Sequence, residues 1–305
     1  MSAPFITFDD GDALLDWVEY TRALVSGHSL PKAEIDDTFL YRDPDTLLSR
    51  SAWIDGMGIA VKSATIFPRN PDKGAPMING AVSLFDDANG TLSALLDFHL
   101  VTKWKTAGDS LLGALKLANP ESREILIVGA GTVGGSLIDA FSAGFPNAQI
   151  RVWNRTLPKA QDLVDSRPGT LVAPQLEAAV RAADIVVTAT MSSTPVVLGD
   201  WLRPGQHLNM IGAYRPDMRE TDDTALLRSK VYADSLDTTL DHIGEFKIPL
   251  EQGVISRDHV LADFYSLDRF PSYNADDITI FKNGGGAHLD LMTSHHILQK
   301  WKEQQ

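Results

Sequence analysis

The stretch EILIVGAGTVGG, Glu124–Gly135, decides the fold. Glu124 to Val128 is short and almost wholly apolar, the pattern of a strand covered on both faces. It runs straight into Gly129, Gly131 and Gly134, a G-x-G-x-x-G spacing, and a helical pattern follows. In that setting each glycine has a task. Gly129 permits a tight turn, Gly131 lets the main chain approach a pyrophosphate, and Gly134 lets helix and strand pack closely. The N–H groups at the start of the helix, at Thr132 and Val133, then face the phosphates with a partial positive charge behind them. A second strand, Ile150 to Trp153, arrives at the distance a dinucleotide fold requires, so the glycines are not merely spare loop residues.

Outward from this motif, strands and helices alternate. Leu157 to Asp165 reads as a helix, and Ile185 to Thr188, Leu208 to Ile211 and Val231 to Ala233 read as strands. This alternation predicts a doubly wound parallel sheet. The first third has another texture. Asp12 to Val25 carries apolar positions at helical spacing. Gly58 to Phe67, Gly80 to Asp86 and Thr91 to Asp97 have strand character, and Asp87-Ala-Asn-Gly90 supplies a hairpin turn. Thr102 to Leu117 turns helical and ends at Asn119-Pro120. The last stretch, Ile278 to Phe281, Gly284 to Gly286 and a helix to Trp301, is more like the first third than the middle. The predicted architecture is therefore α/β. A Rossmann dinucleotide-binding domain, 120–275, is inserted in an α+β substrate-binding and dimerisation domain formed by 1–119 and 276–305.

Composition narrows the function. The 305 residues carry a formal net charge of -13, with 44% hydrophobic and 22% charged residues and no cysteine. Nucleic acid and anionic membranes need basic patches, so neither is the expected partner. No thiol nucleophile, disulfide or thiolate metal site is available. The acidic N-terminal stretch lacks a signal-peptide pattern, and no apolar run is long enough for a membrane span. A cytoplasmic protein with a small-molecule ligand is the expectation.

The end of the second strand bears on the coenzyme. An NAD site usually has an acidic residue about twenty positions beyond the glycines. Here the place is Asn154, followed by Arg155 and Thr156. A neutral residue and an arginine suit a 2′-phosphate, which Arg155 pairs and Asn154 and Thr156 hydrogen-bond. NADP is expected, with NAD remaining open if Arg155 is only a solvated loop charge.

Several landmarks stand in one order: Gly58-Ile-Ala-Val-Lys62, Phe67-Pro-Arg-Asn70, Phe85-Asp-Asp-Ala-Asn-Gly90, Ala94-Leu-Leu-Asp97, Val101-Thr-Lys-Trp-Lys-Thr-Ala107, the glycine loop, Trp153-Asn-Arg-Thr156, Asn209-Met-Ile-Gly-Ala213 and Ile278-Thr-Ile-Phe-Lys282. Over roughly residues 50 to 300 the chain resembles the ornithine cyclodeaminase/mu-crystallin family. The resemblance implies a nicotinamide coenzyme, chemistry at the C=N bond of an imino acid, and a homodimer formed through the non-Rossmann domain. It makes Lys62 the lysine for the substrate carboxylate. It sets Lys105 where the family has arginine, a change from a bidentate fork to a point charge. It assigns Thr106, Thr190, Gly212 and Asn283 to the coenzyme along with the glycine loop, and Asp290 to a family acid on the last helix.

One departure distinguishes activities. Ornithine-cyclising members carry an aspartate after the Ile-Gly-Ala-like turn, where this chain has Tyr214. A tyrosine, with an ordinary pKa of about 10, is a poor base at neutral pH, although it can donate a hydrogen bond. The change favours reduction of an α-imino acid, for which no strong general acid is required because an iminium is already protonated and electrophilic. Asp290 is a candidate to stabilise that charge. Lys103 and Arg50 are candidates, with Lys105, for a second carboxylate, which would make iminosuccinate a substrate beside cyclic imines. A cyclodeaminase and a non-catalytic NADP-binding protein stand as alternatives. His288, His295 and His296 lack metal-binding spacing and read as ordinary helix residues, His288 being the one that can reach the site.

Overall fold

A computed structural model describes residues 3–305. It separates into two compact units, one of residues up to Lys105 with Gly286–Gln305, the other Thr106–Gly285.

The first unit is built on a six-stranded sheet in the order Phe5–Ile6, Leu92–Asp97, Ile78–Phe85, Gly58–Ile66, Asp45–Ile54, Glu34–Arg42. All neighbours are antiparallel except the first pair. Along Gly58–Ile66 burial alternates, so Ala60, Lys62 and Ala64 share the covered face. Two helices, Trp17–His28 and Ala287–Glu303, contact each other, and the second packs on the central strands. The Asp16 side chain caps the first by accepting from the Glu19 N–H at 2.8 Å. Tyr20 and Thr293 join the two helices through their hydroxyls at 2.5 Å, and Trp17 stacks on Trp104 at 3.8 Å between centroids.

The second unit holds a seven-stranded, wholly parallel sheet. Its order is Lys230–Ala233, Thr279–Lys282, His207–Met210, Ile185–Thr188, Glu124–Val128, Gln149–Trp153, Leu171–Val172. Ile125 to Val128 and Ile185 to Val187 are buried on both sides, as a sheet with covered faces demands. Strand order reverses between Glu124–Val128 and Ile185–Thr188, the switch point where a crevice opens at the carboxyl ends of the strands.

Two readings of the sequence change. Thr279–Lys282 was expected with the first third; it pairs with His207–Met210 and Lys230–Ala233 instead. The two compact units divide after Lys105 and after Gly285, whereas the sequence reading placed the domain boundaries near 119 and 276. A four-residue strand with two apolar positions, Ile280 and Phe281, carries no mark of its partners, and parallel pairing is made across a long sequence separation. The helix expected from Thr102 begins at Phe98, where Asp97 accepts from the His99 and Leu100 N–H groups. The hairpin Glu34–Arg42 with Asp45–Ile54 was not anticipated. Its outer strand is exposed along almost its whole length, so the alternation that signals a strand is missing.

Candidate active site

In the first unit, Asp37, Arg50 and Lys62 lie directly opposite one another on three adjacent strands. Opposed residues of an antiparallel pair point to the same face, so this row stands on the covered side of the sheet. Arg50 grips Asp37 through two nitrogens, Nη2 lying 2.5 Å from Oδ2. Lys62 donates to Asp290 Oδ1 at 2.9 Å and to the Thr102 hydroxyl at 2.8 Å, with its ammonium 4.4 Å from the centre of the Phe98 ring. Lys105 reaches the same Asp290 oxygen at 2.8 Å. Asp290 Oδ2 is buried without a hydrogen-bond partner. Three cations thus meet two carboxylates in a place from which water is largely excluded.

This crowding moves the protonation equilibria. Burial, reinforced by Lys62 and Arg50 and opposed by Asp290, lowers the Lys105 pKa to about 7. Burial pushes the Asp290 carboxyl up, but Lys105, Lys62 and Arg50 outweigh it and hold the group below the usual carboxylate range. His288 lies against His28, ring centres 5.6 Å apart. Burial first, then the nearby cations, keeps His288 neutral, and burial lowers His28 to about 4.

The structure separates the lysines. Lys103, a candidate for a second carboxylate, is held by both oxygens of Asp12 at 2.8 Å. The same aspartate also accepts from Trp104 Nε1, so Lys103 belongs to the packing around that aspartate. Arg50 likewise is committed to Asp37. His288 was read as an ordinary helix residue with some chance of reaching the site; it is buried among the charges of this cluster.

In the second unit the glycine loop fits a dinucleotide. Gly129 has φ +126°, and a Cβ there would come within 2.6 Å of the Ala189 carbonyl. A Cβ on Gly134 would stand 2.3 Å from the Gly129 carbonyl oxygen, so helix and strand close to a distance only glycine allows. Above Gly131 nothing lies within 4 Å of that position. The helix it begins, Thr132–Gly144, has no side-chain cap, leaving its first N–H groups for a phosphate. Asn154 was expected to meet the 2′-phosphate. Its side chain accepts from the Ala130 N–H at 3.2 Å and donates to the Thr156 carbonyl at 2.9 Å, bracing the loop. Arg155 is exposed beside it.

Thr190 follows Ile185–Thr188, and Gly212 follows the adjacent strand His207–Met210. Both are tied to Glu220, a residue the sequence reading passed over. Asn283 is buried and donates to Asp109 at 2.6 Å. Tyr214 is 58% exposed, the Arg215 guanidinium lying 5.9 Å from its ring centre. Thr106 is half-buried at the first position of this unit.

A parallel sheet with this loop at its switch point is the architecture of a dinucleotide-binding protein. The family model for the ornithine cyclodeaminase/mu-crystallin family matches residues 53–305, and the chain belongs to that family. It is 47% identical to a Delta(1)-pyrroline-2-carboxylate reductase of Paracoccus denitrificans, over 97% of this chain and 96% of that one. Among solved structures, an archaeal alanine dehydrogenase dimer with bound NAD superposes with a TM-score of 0.89 at 25% identity, covering 100% of this chain and 97% of the other. A Thermococcus litoralis Delta(1)-pyrroline-2-carboxylate reductase in complex with NADH and L-proline gives the same score at 24% identity, over 98% of each chain, a likeness of fold. The protein is an NAD(P)-dependent oxidoreductase that reduces the C=N bond of an α-imino acid.

Proposed function

We propose that the imino acid is a cyclic monocarboxylate, Δ1-pyrroline-2-carboxylate, reduced to proline. The observation that carries this reading is the charge of the buried cluster. With Lys105 protonated, Arg50, Lys62 and Lys105 exceed Asp37 and Asp290 by a single positive charge, which one carboxylate neutralises. The second carboxylate of iminosuccinate would need Lys103 or Arg50, and both are already paired. The 47% identical relative supports the same substrate class.

In this reading Lys62 and Lys105 bind the substrate carboxylate. Asp290 holds the two ammonium groups side by side, and its free oxygen offers the compensating charge to an iminium. When bound, a reduced nicotinamide would supply the hydride for the C=N carbon. The main chain of Gly129, Gly131, Thr132, Val133 and Gly134 cradles the diphosphate; Thr106, Thr190, Gly212 and Asn283 take its nicotinamide side. Arg155, with the Thr156 hydroxyl, receives a 2′-phosphate, which makes NADPH the preferred donor and NADH the weaker one. Tyr214 offers a hydrogen bond and no base. Among the described residues no helix is long and apolar enough to cross a membrane, in keeping with a cytoplasmic enzyme. The apolar side chains left exposed on the first unit's sheet, Phe39, Leu40, Tyr41 and Trp53, suit a homodimer interface, as does the dimeric structural relative.

The test is coenzyme oxidation, with NADPH and NADH in parallel, on Δ1-pyrroline-2-carboxylate, Δ1-piperideine-2-carboxylate and oxaloacetate plus ammonia. The highest kcat/KM is expected for the five-membered imine. A higher value for the oxaloacetate mixture would refute the single-carboxylate reading. Ammonia release from ornithine without net coenzyme change would make the protein a cyclodeaminase instead.

A further inference from the structure

Glu220 lies wholly buried, between the loops that follow Ile185–Thr188 and His207–Met210. Its Oε1 accepts from the Thr190 N–H at 2.7 Å and the Thr190 hydroxyl at 2.8 Å. Its Oε2 accepts from the Gly212 N–H at 2.7 Å and the Ala213 N–H at 3.2 Å. One carboxylate therefore clasps the loop after Ile185–Thr188 to the loop after His207–Met210. The loops approach so closely that a Cβ on Gly212 would stand 2.0 Å from the Thr190 carbonyl oxygen.

The clasp is itself held. Glu245, also buried, accepts the Glu220 N–H at 2.7 Å and both the N–H and the hydroxyl of Thr221. From the other side Lys282 donates to the carbonyls of Met210, Ala213 and Asn283 at 3.1, 2.8 and 2.6 Å. Around Gly212, the N–H groups point at a carboxylate and the carbonyls at an ammonium. Such charge-assisted bonds in a dry interior are short, strong and geometrically exacting. A neutral loop of the same length could be satisfied by water and would move.

We infer that Glu220 is a positioning residue: it sets the spacing of Thr190 and Gly212, and through them the nicotinamide half of the coenzyme, without touching it. The inference rests on the coenzyme reading above. It separates the two halves of the dinucleotide, because the diphosphate and adenosine are received by Gly129–Gly134 and Arg155, which Glu220 does not contact.

That separation supplies the test. Glu220→Gln replaces one oxygen by an NH2 group; turned toward Thr190, whose hydroxyl can rotate to accept, it leaves the Thr190 N–H opposed by a donor. The dissociation constants of NADPH and of 2′-phospho-ADP-ribose, the same molecule without nicotinamide, are measured by calorimetry on the full-length variant. NADPH binding is expected to weaken by about tenfold, the loss of one charge-assisted bond, while 2′-phospho-ADP-ribose binds as it does to the unsubstituted protein. Equal weakening of both ligands, or no change in either, overturns the inference. Should Glu220→Gln fail to fold, Glu245→Gln decides in its place: it loosens Glu220 indirectly, and about a threefold loss for NADPH alone is expected. Failure of 2′-phospho-ADP-ribose to bind the unsubstituted protein would instead strike at the coenzyme reading and is read before either variant.

Discussion

Lys62 and Lys282 are both lysines buried on strands, yet their partners differ in kind. Lys62 meets a side-chain carboxylate, a hydroxyl and an aromatic face. Lys282 is enclosed by three main-chain carbonyls. The Lys62 ammonium shares its carboxylate with Lys105, so positive charge is left over. Lys282 has every proton directed at the backbone and Glu220, Glu245, Asp234 and Asp109 around it to oppose the cost of burial. A buried charge with a shared, incomplete partner is a place for a ligand ion. One whose partners are all in the backbone holds a loop in shape.

Breaking that contrast should give effects of different type. The largest is expected at Lys282→Met, which leaves three carbonyls unsatisfied and several carboxylates without their cation. Chemical denaturation should show a loss of about 3–5 kcal/mol. A smaller loss than that of Lys62→Met would reverse the assignment. Lys62→Met should instead raise the imino-acid KM about a hundredfold, from removing one partner of a buried ion pair with the substrate. NADPH affinity should hardly move, and parallel loss of both affinities would take Lys62 out of its role.

A third effect sharpens the contrast through pH. With its pKa lowered to about 7, Lys105 is charged below that pH and loses its proton above it. The folded protein's KM for the imino acid should therefore rise as pH climbs past about 7, by up to about tenfold per unit. Lys105→Arg keeps its charge throughout. The steepness should vanish in the variant, and a pH profile shared by both proteins would assign the titration to the substrate alone. The smallest effect is expected at the surface, where Arg155→Ala should lower the NADPH-to-NADH preference by about fivefold, the scale of an exposed ion pair near 1 kcal/mol. An unchanged ratio would remove Arg155 from the 2′-phosphate.

Much of this was readable along the chain because the signals are local. The glycines at 129, 131 and 134 are needed by a turn and a helix start within one short segment, and their geometry in the structure matches that need. The same holds for the turn Asp87–Gly90, which joins the strands Ile78–Phe85 and Leu92–Asp97. Lys62 and Lys105 were picked out by the resemblance, and the structure brings both to Asp290. The resemblance pointed to the same acid. Nothing local marked Glu220 or Glu245, which look like ordinary surface glutamates until their loops are brought together.

The chain's own order of residues was enough to specify an α/β protein with a dinucleotide loop, since hydrophobic periodicity and glycine spacing act over a few residues. Which sheet Thr279–Lys282 joins, which lysine keeps a vacant valence of charge, and which glutamate bridges Thr190 to Gly212 were settled only in three dimensions. Those outcomes depend on desolvation and on hydrogen-bond partners far apart in sequence, and both quantities come into being only when the core closes.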